Sequence, residues 1–135
     1  MPISVVRQLP WLVHNFLARS QPHAGDFRAR GELLIARQGV GILQSWLIDL
    51  LLLESGRIGG GLHLNRFLTD EQRDLLASFP PLELTHDSLL ANQLAAARSF
   101  LPRARRLMAT HDLPYPDEFE REVRDYLRRM IGAEL

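Results

Sequence analysis

The residues best placed to do chemistry are four polar or small residues on the most apolar stretch of the chain. Gln38, Gly41, Ser45 and Asp49 recur three or four positions apart, which places them on one face of a helix. From Ile42 to Leu53 their neighbours are almost all apolar, and a carboxylate in such surroundings is costly unless it has a partner. Asp49 therefore belongs to a solvent-facing strip, pairs with an arginine inside the fold, or receives a cationic or hydroxyl-rich ligand. If a ligand binds here, Gln38, Ser45 and Asp49 contact it.

A second candidate group lies in the segment RRLMATH, at the end of a predicted helix. Arg105 and Arg106 precede His111 there. One interpretation is an RNA-cleaving pair, with His111 as acid and base and an arginine stabilising phosphate charge. The other is a set of surface residues favoured by the helix dipole at the carboxyl end. Under this second interpretation, the segment contains no catalytic residue.

A third group follows the glycine-rich segment RIGGG. His63, Asn65 and Arg66 come directly after it and either rim a pocket or are ordinary loop residues. Arg66 is the substrate-contact candidate among them. The segment does not predict a phosphate-binding loop, because no Gly-Lys-Ser/Thr follows it and no strand precedes it.

Composition excludes several kinds of site. Sixteen basic residues, all arginine, balance sixteen acidic ones, and this zero net charge argues against a general nucleic-acid binder. The chain has no cysteine, which excludes disulfides, thiolate catalysis and cysteine-ligated zinc. It also lacks a His-Glu metal motif and a serine elbow. We therefore expect no metal, no cofactor and no self-sufficient active site.

The apolar stretch does not predict a membrane span. The run from Ile42 to Leu53 is too short to cross a bilayer and contains Asp49. The N-terminal residues lack the basic start, long apolar segment and small-residue cleavage site of a secretory signal. The sequence thus predicts a soluble cytoplasmic protein.

The first half of the chain predicts two helices. Apolar residues at helical spacing indicate a short helix over about residues 10–19, with Trp11 in the core. Proline, glycine and serine predict a loop over Ser20–Asp26. Asp26 is then the expected cap of a long helix over about residues 27–55.

The second half predicts three more helices. Thr69–Gln72 has the pattern of a capping box that opens a helix over about residues 69–78. A long helix follows over about residues 85–112, which Pro102 kinks or divides. Pro116 suits the first turn of the last helix, whose acidic start and basic end complement the helix dipole.

No segment shows the alternation of a strand. A helix that is apolar on almost every face must be enclosed by others, so the helix over residues 27–55 is the expected centre of the fold. The prediction is an all-α protein with one domain over residues 1–135, an up-and-down bundle of four to five helices.

The order of these elements and three segments resemble a known family. The segments ARGELLIAR, LNRFLTDEQ and LPYPDEFE look like the helical C-terminal domain of bacterial nucleotidyltransferases of the aminoglycoside and lincosamide type, which belongs to the HEPN superfamily. The resemblance covers roughly residues 12–132. It implies a helical bundle that packs beside a polymerase-β-like catalytic domain and helps to bind a small polar acceptor substrate.

The chain departs from that family in one large respect. The Gly-Ser motif and the Asp-x-Asp metal pair of the catalytic domain are absent, and without those carboxylates nothing holds Mg²⁺ and the nucleotide phosphates. The resemblance therefore implies a substrate-binding domain or subunit that is non-catalytic alone. Its expected partner is a catalytic nucleotidyltransferase subunit or a second copy of itself.

Two alternatives remain open from the sequence. HEPN ribonucleases carry an arginine, usually followed by a polar residue, and then a histidine. Arg105 or Arg106 with His111 meets that spacing, although Leu107 after Arg106 departs from the pattern. The other alternative is a helical protein-interaction module without a small-molecule site.

Overall fold

Five helices make up the part of the chain that the structure describes. A computed structural model describes residues 5–29, 33–56 and 67–135, with the backbone alone for residues 22–29. In chain order the helices are α1 (Val5–Ala29), α2 (Leu33–Glu54), α3 (Asp70–Ala77), α4 (His86–Thr110) and α5 (Asp117–Ile131). No strand occurs among these residues, and the prediction of an all-α single helical bundle is confirmed.

One apolar core joins α1, α2, α4 and α5. Its centre is a stacked pair, Phe16 of α1 and Phe100 of α4, whose ring centroids are 3.9 Å apart. Leucines at helical spacing surround this pair, and most of them have no exposed surface. Their burial is the main source of stability in such a bundle, because intrinsic helix propensity contributes little to it.

The first helix is much longer than predicted. The loop expected over Ser20–Asp26 is wrong, because α1 continues to Ala29, so Asp26 does not cap the next helix. Tertiary contacts outweigh local propensity at this point. Ser20 is buried, its backbone oxygen accepts a hydrogen bond of 3.0 Å from the Gln93 side chain of α4, and its hydroxyl donates to the oxygen of Phe16.

This length changes which helix is central. α1 packs against α2, α4 and α5, whereas α2 has its main contacts with α1 and α4. The expectation that the second helix is the centre of the bundle is therefore wrong. That helix begins at Leu33 rather than near residue 27, and its first turn leaves Leu34 70% exposed.

The predicted capping box is confirmed and does more than start a helix. The Thr69 hydroxyl accepts from the Gln72 backbone N–H, and the Gln72 side chain accepts from the Thr69 N–H. The Gln72 amide also donates to the Leu51 oxygen at 2.9 Å and to the Glu54 carboxylate at 3.2 Å. Gln72 therefore links α3 to the end of α2.

The last two helices agree closely with their predicted ranges. α4 runs unbroken through Pro102, which is exposed, so the proline does not divide it. α5 begins one residue after Pro116 and has the acidic first turn and basic last turn expected from the sequence. Its C-terminal cap is Gly132, in the left-handed conformation with φ 65°, where glycine has no Cβ penalty.

Candidate functional site

The predicted polar stripe lies along the outer side of α2. Gln38, Gly41 and Ser45 are exposed, and a Cβ built on Gly41 would meet no atom within 4 Å. Asp49 lies at the end of the stripe and is half-buried. The first three residues are thus a solvent-facing strip, and Asp49 is the member that the fold partly encloses.

Asp49 differs from the other carboxylates of the core region. Burial raises its pKa above the ordinary value of 3.8. Among the described residues it makes no hydrogen bond and no ion pair, so the internal arginine partner that the sequence allowed is not found within them. The folded chain therefore keeps a carboxylate in a partly apolar position without compensation from those residues, which is unfavourable unless something else supplies it.

An aromatic group lies one helical turn before Asp49. Trp46 of α2 meets Trp11 of α1 edge to face, with ring centroids 5.9 Å apart and planes at 84°. The guanidinium of Arg19 lies over the same Trp46 ring, 5.8 Å from its centroid. The placement of Trp11 in the core was wrong, since it is 55% exposed and Trp46 is only half-buried.

Trp11 also forms one side of a surface groove between α1 and the connection from α4 to α5. The groove has a volume of about 420 Å³. It is apolar apart from two polar side chains, and its lining residues are Pro10, Trp11, His14, Asn15, Met108, Pro114 and Pro116. Two other cavities are described. One, of about 460 Å³, is lined mainly by charged residues of α5, and the other, of about 490 Å³, is lined by residues 80–88. Gln38, Ser45 and Asp49 line none of these three.

The Arg105 side chain of the ribonuclease hypothesis is committed to a network within the protein. It donates to Asp117 and, at 3.1 Å, to Glu120. Its guanidinium also lies over the ring of Tyr115, 4.2 Å from the centroid. The network ties α4 to the start of α5. A substitution of Arg105 would therefore disturb the fold whether or not Arg105 takes part in catalysis.

Glu120 is the centre of that network. It is buried, and its carboxylate accepts from the Tyr115 hydroxyl at 2.6 Å and from Arg124 at 3.1 Å. Burial alone would raise the pKa of Glu120, but the hydrogen bonds from Tyr115 and Arg124 and the charges of Arg124 and Arg105 outweigh it and lower the pKa. Burial and the bond to Glu120 raise the pKa of Tyr115, which stays protonated.

Arg106 and His111 are both exposed, and no described contact joins them. His111 is the C-cap of α4. The two residues are five positions apart, so their directions on a helix differ by roughly 140°. The fold therefore does not bring this pair to one face, and the surface interpretation accounts for their positions.

The remaining predicted site residues lie outside the described part of the chain. These are Arg66, the substrate-contact candidate, and its neighbours His63 and Asn65. Within the described ranges no three His, Asp or Glu residues are grouped to hold a metal ion. No described helix has the length and apolar character needed to cross a membrane.

The groove beside Trp11 was missed at the level of sequence. Trp11 has the spacing of a core residue, and its exposure depends on which face of α1 the partner helices cover. One signal was available, because Pro10 next to Trp11 and the segment LPYP both place rigid proline rings beside an aromatic residue. Nothing in the sequence indicates that these two segments meet.

No family model, no curated protein and no solved structure matches this chain.

Proposed function

We propose that this chain is the substrate-binding helical domain or subunit of a polymerase-β-like nucleotidyltransferase and is non-catalytic on its own. The observation that carries the proposal is Asp49, a half-buried carboxylate with no partner among the described residues and a pKa raised by burial. A cationic or hydroxyl-rich acceptor substrate would supply the missing partner.

The surroundings of Asp49 suit such a substrate. Ser45 precedes it by one helical turn and is exposed, so its hydroxyl is available to hydrogen-bond a sugar-like ligand. Gln38 lies further along the same strip. Binding of a cation at Asp49 would lower the pKa of this carboxyl group and recover part of the free energy that folding loses there.

Three arginines support the proposal that the chain is non-catalytic on its own, because each is engaged in ion pairs within the protein. Arg103 binds Glu54 and Glu71, Arg105 binds Asp117 and Glu120, and Arg128 binds Asp125 and Glu134. The pairs of Arg103 and Arg105 tie α4 to its neighbouring helices, and those of Arg128 lie at the end of α5. A second subunit that carries the metal-binding carboxylates would provide the nucleotidyl-transfer chemistry.

The direct test combines co-expression and binding. A neighbouring open reading frame that encodes Gly-Ser and Asp-x-Asp motifs should yield a protein that co-purifies with this chain. In the complex, calorimetry with an aminoglycoside or a lincosamide, the substrate classes that the resemblance implies, should detect binding that weakens at least tenfold in Asp49→Asn. Asp74→Asn, an exposed carboxylate of α3, is the matched control and should bind as the parent does.

The same substitution has a second readout on the free chain. A carboxyl whose folded pKa is raised binds its proton more tightly in the folded state, so ionisation at neutral pH costs stability. Asp49→Asn should therefore raise the free energy of unfolding by a few tenths to about 1 kcal/mol, since solvent screens a half-buried group. A loss of stability would show that Asp49 has a stabilising partner in the protein, and the proposal would fail.

A second candidate, a helical protein-interaction module, is favoured by apolar side chains at the start of α2. Leu34 and Ile35 are 70% and 51% exposed, which suits contact with a second copy of the chain. Sedimentation should then report a dimer that Leu34→Gln converts to a monomer. No contact among the described residues favours the ribonuclease function, and RNA cleavage abolished by His111→Ala is the result that would establish it.

A further inference from the structure

We propose that the groove beside Trp11 binds a small, uncharged aromatic molecule. This inference goes beyond the proposed function, because the groove is separate from Asp49 in its lining residues and takes a different chemistry. Its volume of about 420 Å³ lies within the range of small-molecule sites, which are mostly apolar with a few polar groups that fix orientation.

The first wall of the groove is an indole that is held in place before any ligand arrives. Trp11 is 55% exposed, and the edge-to-face contact with Trp46 restrains its ring. Arg19 in turn lies over Trp46. An exposed and restrained aromatic side chain loses little conformational entropy on binding, so more of the contact energy contributes to affinity.

The rest of the groove offers rigid apolar surfaces. The pyrrolidine rings of Pro10, Pro114 and Pro116 line it together with Met108, which is 2% exposed. Proline rings are rigid, so they have no side-chain freedom to lose when a ligand binds. A planar aromatic ring can stack on the Trp11 indole while it contacts the prolines, and a puckered aliphatic ring of similar size makes a poorer contact with the indole.

The polar groups of the groove determine the charge of the ligand. Among its described lining residues there is no carboxylate and no guanidinium, so a charged ligand would lose hydration without a partner. Asn15 donates one N–H to the Trp11 backbone oxygen at 2.8 Å, and its carbonyl oxygen and second N–H have no partner among the described residues. The imidazole of His14, which is exposed and packs against Phe119, adds a further hydrogen-bonding position.

The test uses the two tryptophans of the chain as reporters. The Trp46→Phe variant leaves Trp11 as the only source of indole fluorescence. Titration of this variant with coumarin, a neutral planar bicycle, should quench that fluorescence with a Kd of roughly 0.1–1 mM, the range expected for a fragment. Cyclohexanol, benzoate and benzylammonium should each bind at least tenfold more weakly, measured by competition with coumarin.

Variants of the full-length chain then locate the site. Trp11→Leu keeps an apolar side chain but removes the aromatic wall, and should weaken coumarin binding at least tenfold by calorimetry. Leu84→Gln removes another exposed apolar side chain, 43% exposed and outside the groove, and should leave the affinity unchanged. Thermal melts of both variants confirm that they remain folded.

Amide chemical shifts in the parent protein complete the test. Coumarin should move signals of residues 10–15 and 108–116 and few others. Three results would each overturn the proposal: unchanged affinity in Trp11→Leu, cyclohexanol binding as tightly as coumarin, or shifts that map to another surface. Since none of these readouts involves Asp49 or a catalytic partner, they are independent of the proposed function.

Discussion

Asp49 and Glu120 are carboxylates in opposite situations. Glu120 is buried and accepts hydrogen bonds from Tyr115, Arg105 and Arg124, and its pKa is lowered. Asp49 is half-buried, has no partner among the described residues, and its pKa is raised. A carboxylate that is compensated stabilises a fold, whereas one that is not is more often retained for binding. The contrast separates a structural residue from a candidate functional one.

The network around Glu120 makes stability depend on pH. Glu120 has a folded pKa below its ordinary value of 4.5, so the unfolded chain binds the proton more tightly and stability falls as pH drops through the folded pKa. Glu120→Gln should reduce the free energy of unfolding at pH 7 by about 1–3 kcal/mol. The difference from the parent should shrink as the pH falls below 4.5 and through the lowered folded pKa of Glu120, because the parent carboxylate then also becomes protonated.

Urea unfolding at pH 7, 5, 4 and 3 measures this effect. Glu122→Gln is a suitable control, because Glu122 is exposed on the same helix and should change stability little at any of these pH values. A constant difference between Glu120→Gln and the parent across the series would contradict the assigned role of the charge.

At the scale of elements, short polar contacts decide how the helices are joined. α3 is only 8 residues long and would be unstable alone. Gln72 closes its capping box and binds the end of α2, while Arg103 of α4 binds Glu54 and Glu71. This small helix is therefore held by both α2 and α4.

We expect Gln72→Ala to cost about 2 kcal/mol. The substitution removes the cap bond and the Gln72 side-chain amide that donates to the buried backbone oxygen of Leu51, and each loss is worth about 1 kcal/mol. Asp74→Ala, on the exposed face of the same helix, should change stability by less than about 0.5 kcal/mol. Chemical denaturation compares the two variants. Equal losses of stability would mean that the contacts of Gln72 contribute nothing to the free energy of unfolding.

At the scale of the whole molecule, the four main helices share one core. The Phe16–Phe100 stack joins α1 to α4, and the buried leucines of the same core come from all four of these helices. A bundle with such a core is expected to unfold cooperatively. The cost of damaging its centre should therefore appear as a loss of global stability and not as local fraying.

Phe100→Ala should destabilise the protein by about 3–5 kcal/mol, through lost transfer free energy and the cavity that remains. This is a large part of the 5–15 kcal/mol that stabilises a typical domain. Phe79→Ala is the matched control, because Phe79 is only half-buried at the rim of the same core, and it should cost markedly less. Thermal melts monitored by far-ultraviolet circular dichroism at 222 nm test both, and similar melting temperatures for the two would contradict a core centred on the stack.

The helices that were predicted well are those whose ends carry local chemistry. The Thr69–Gln72 box, Thr85 before α4 and the acidic start of α5 each place a helix end within one or two residues of the observed one. The N-terminal half was predicted poorly, since proline and glycine after Ser20 indicated a loop where α1 continues. There, the contacts of Ser20 and Gln93 across 73 residues of sequence override the local preference.

The sequence by itself determined the fold class and the starts of α3, α4 and α5, because helical periodicity and capping act within a few residues of chain. It also singled out Asp49, since a carboxylate in an apolar run is unusual wherever it lies. The tertiary structure decided that α1 is the central helix, that Arg105 belongs to an ion-pair network, and that Trp11 lines a groove. Those features depend on which distant faces meet, and a one-dimensional pattern holds no information on the pairing of faces.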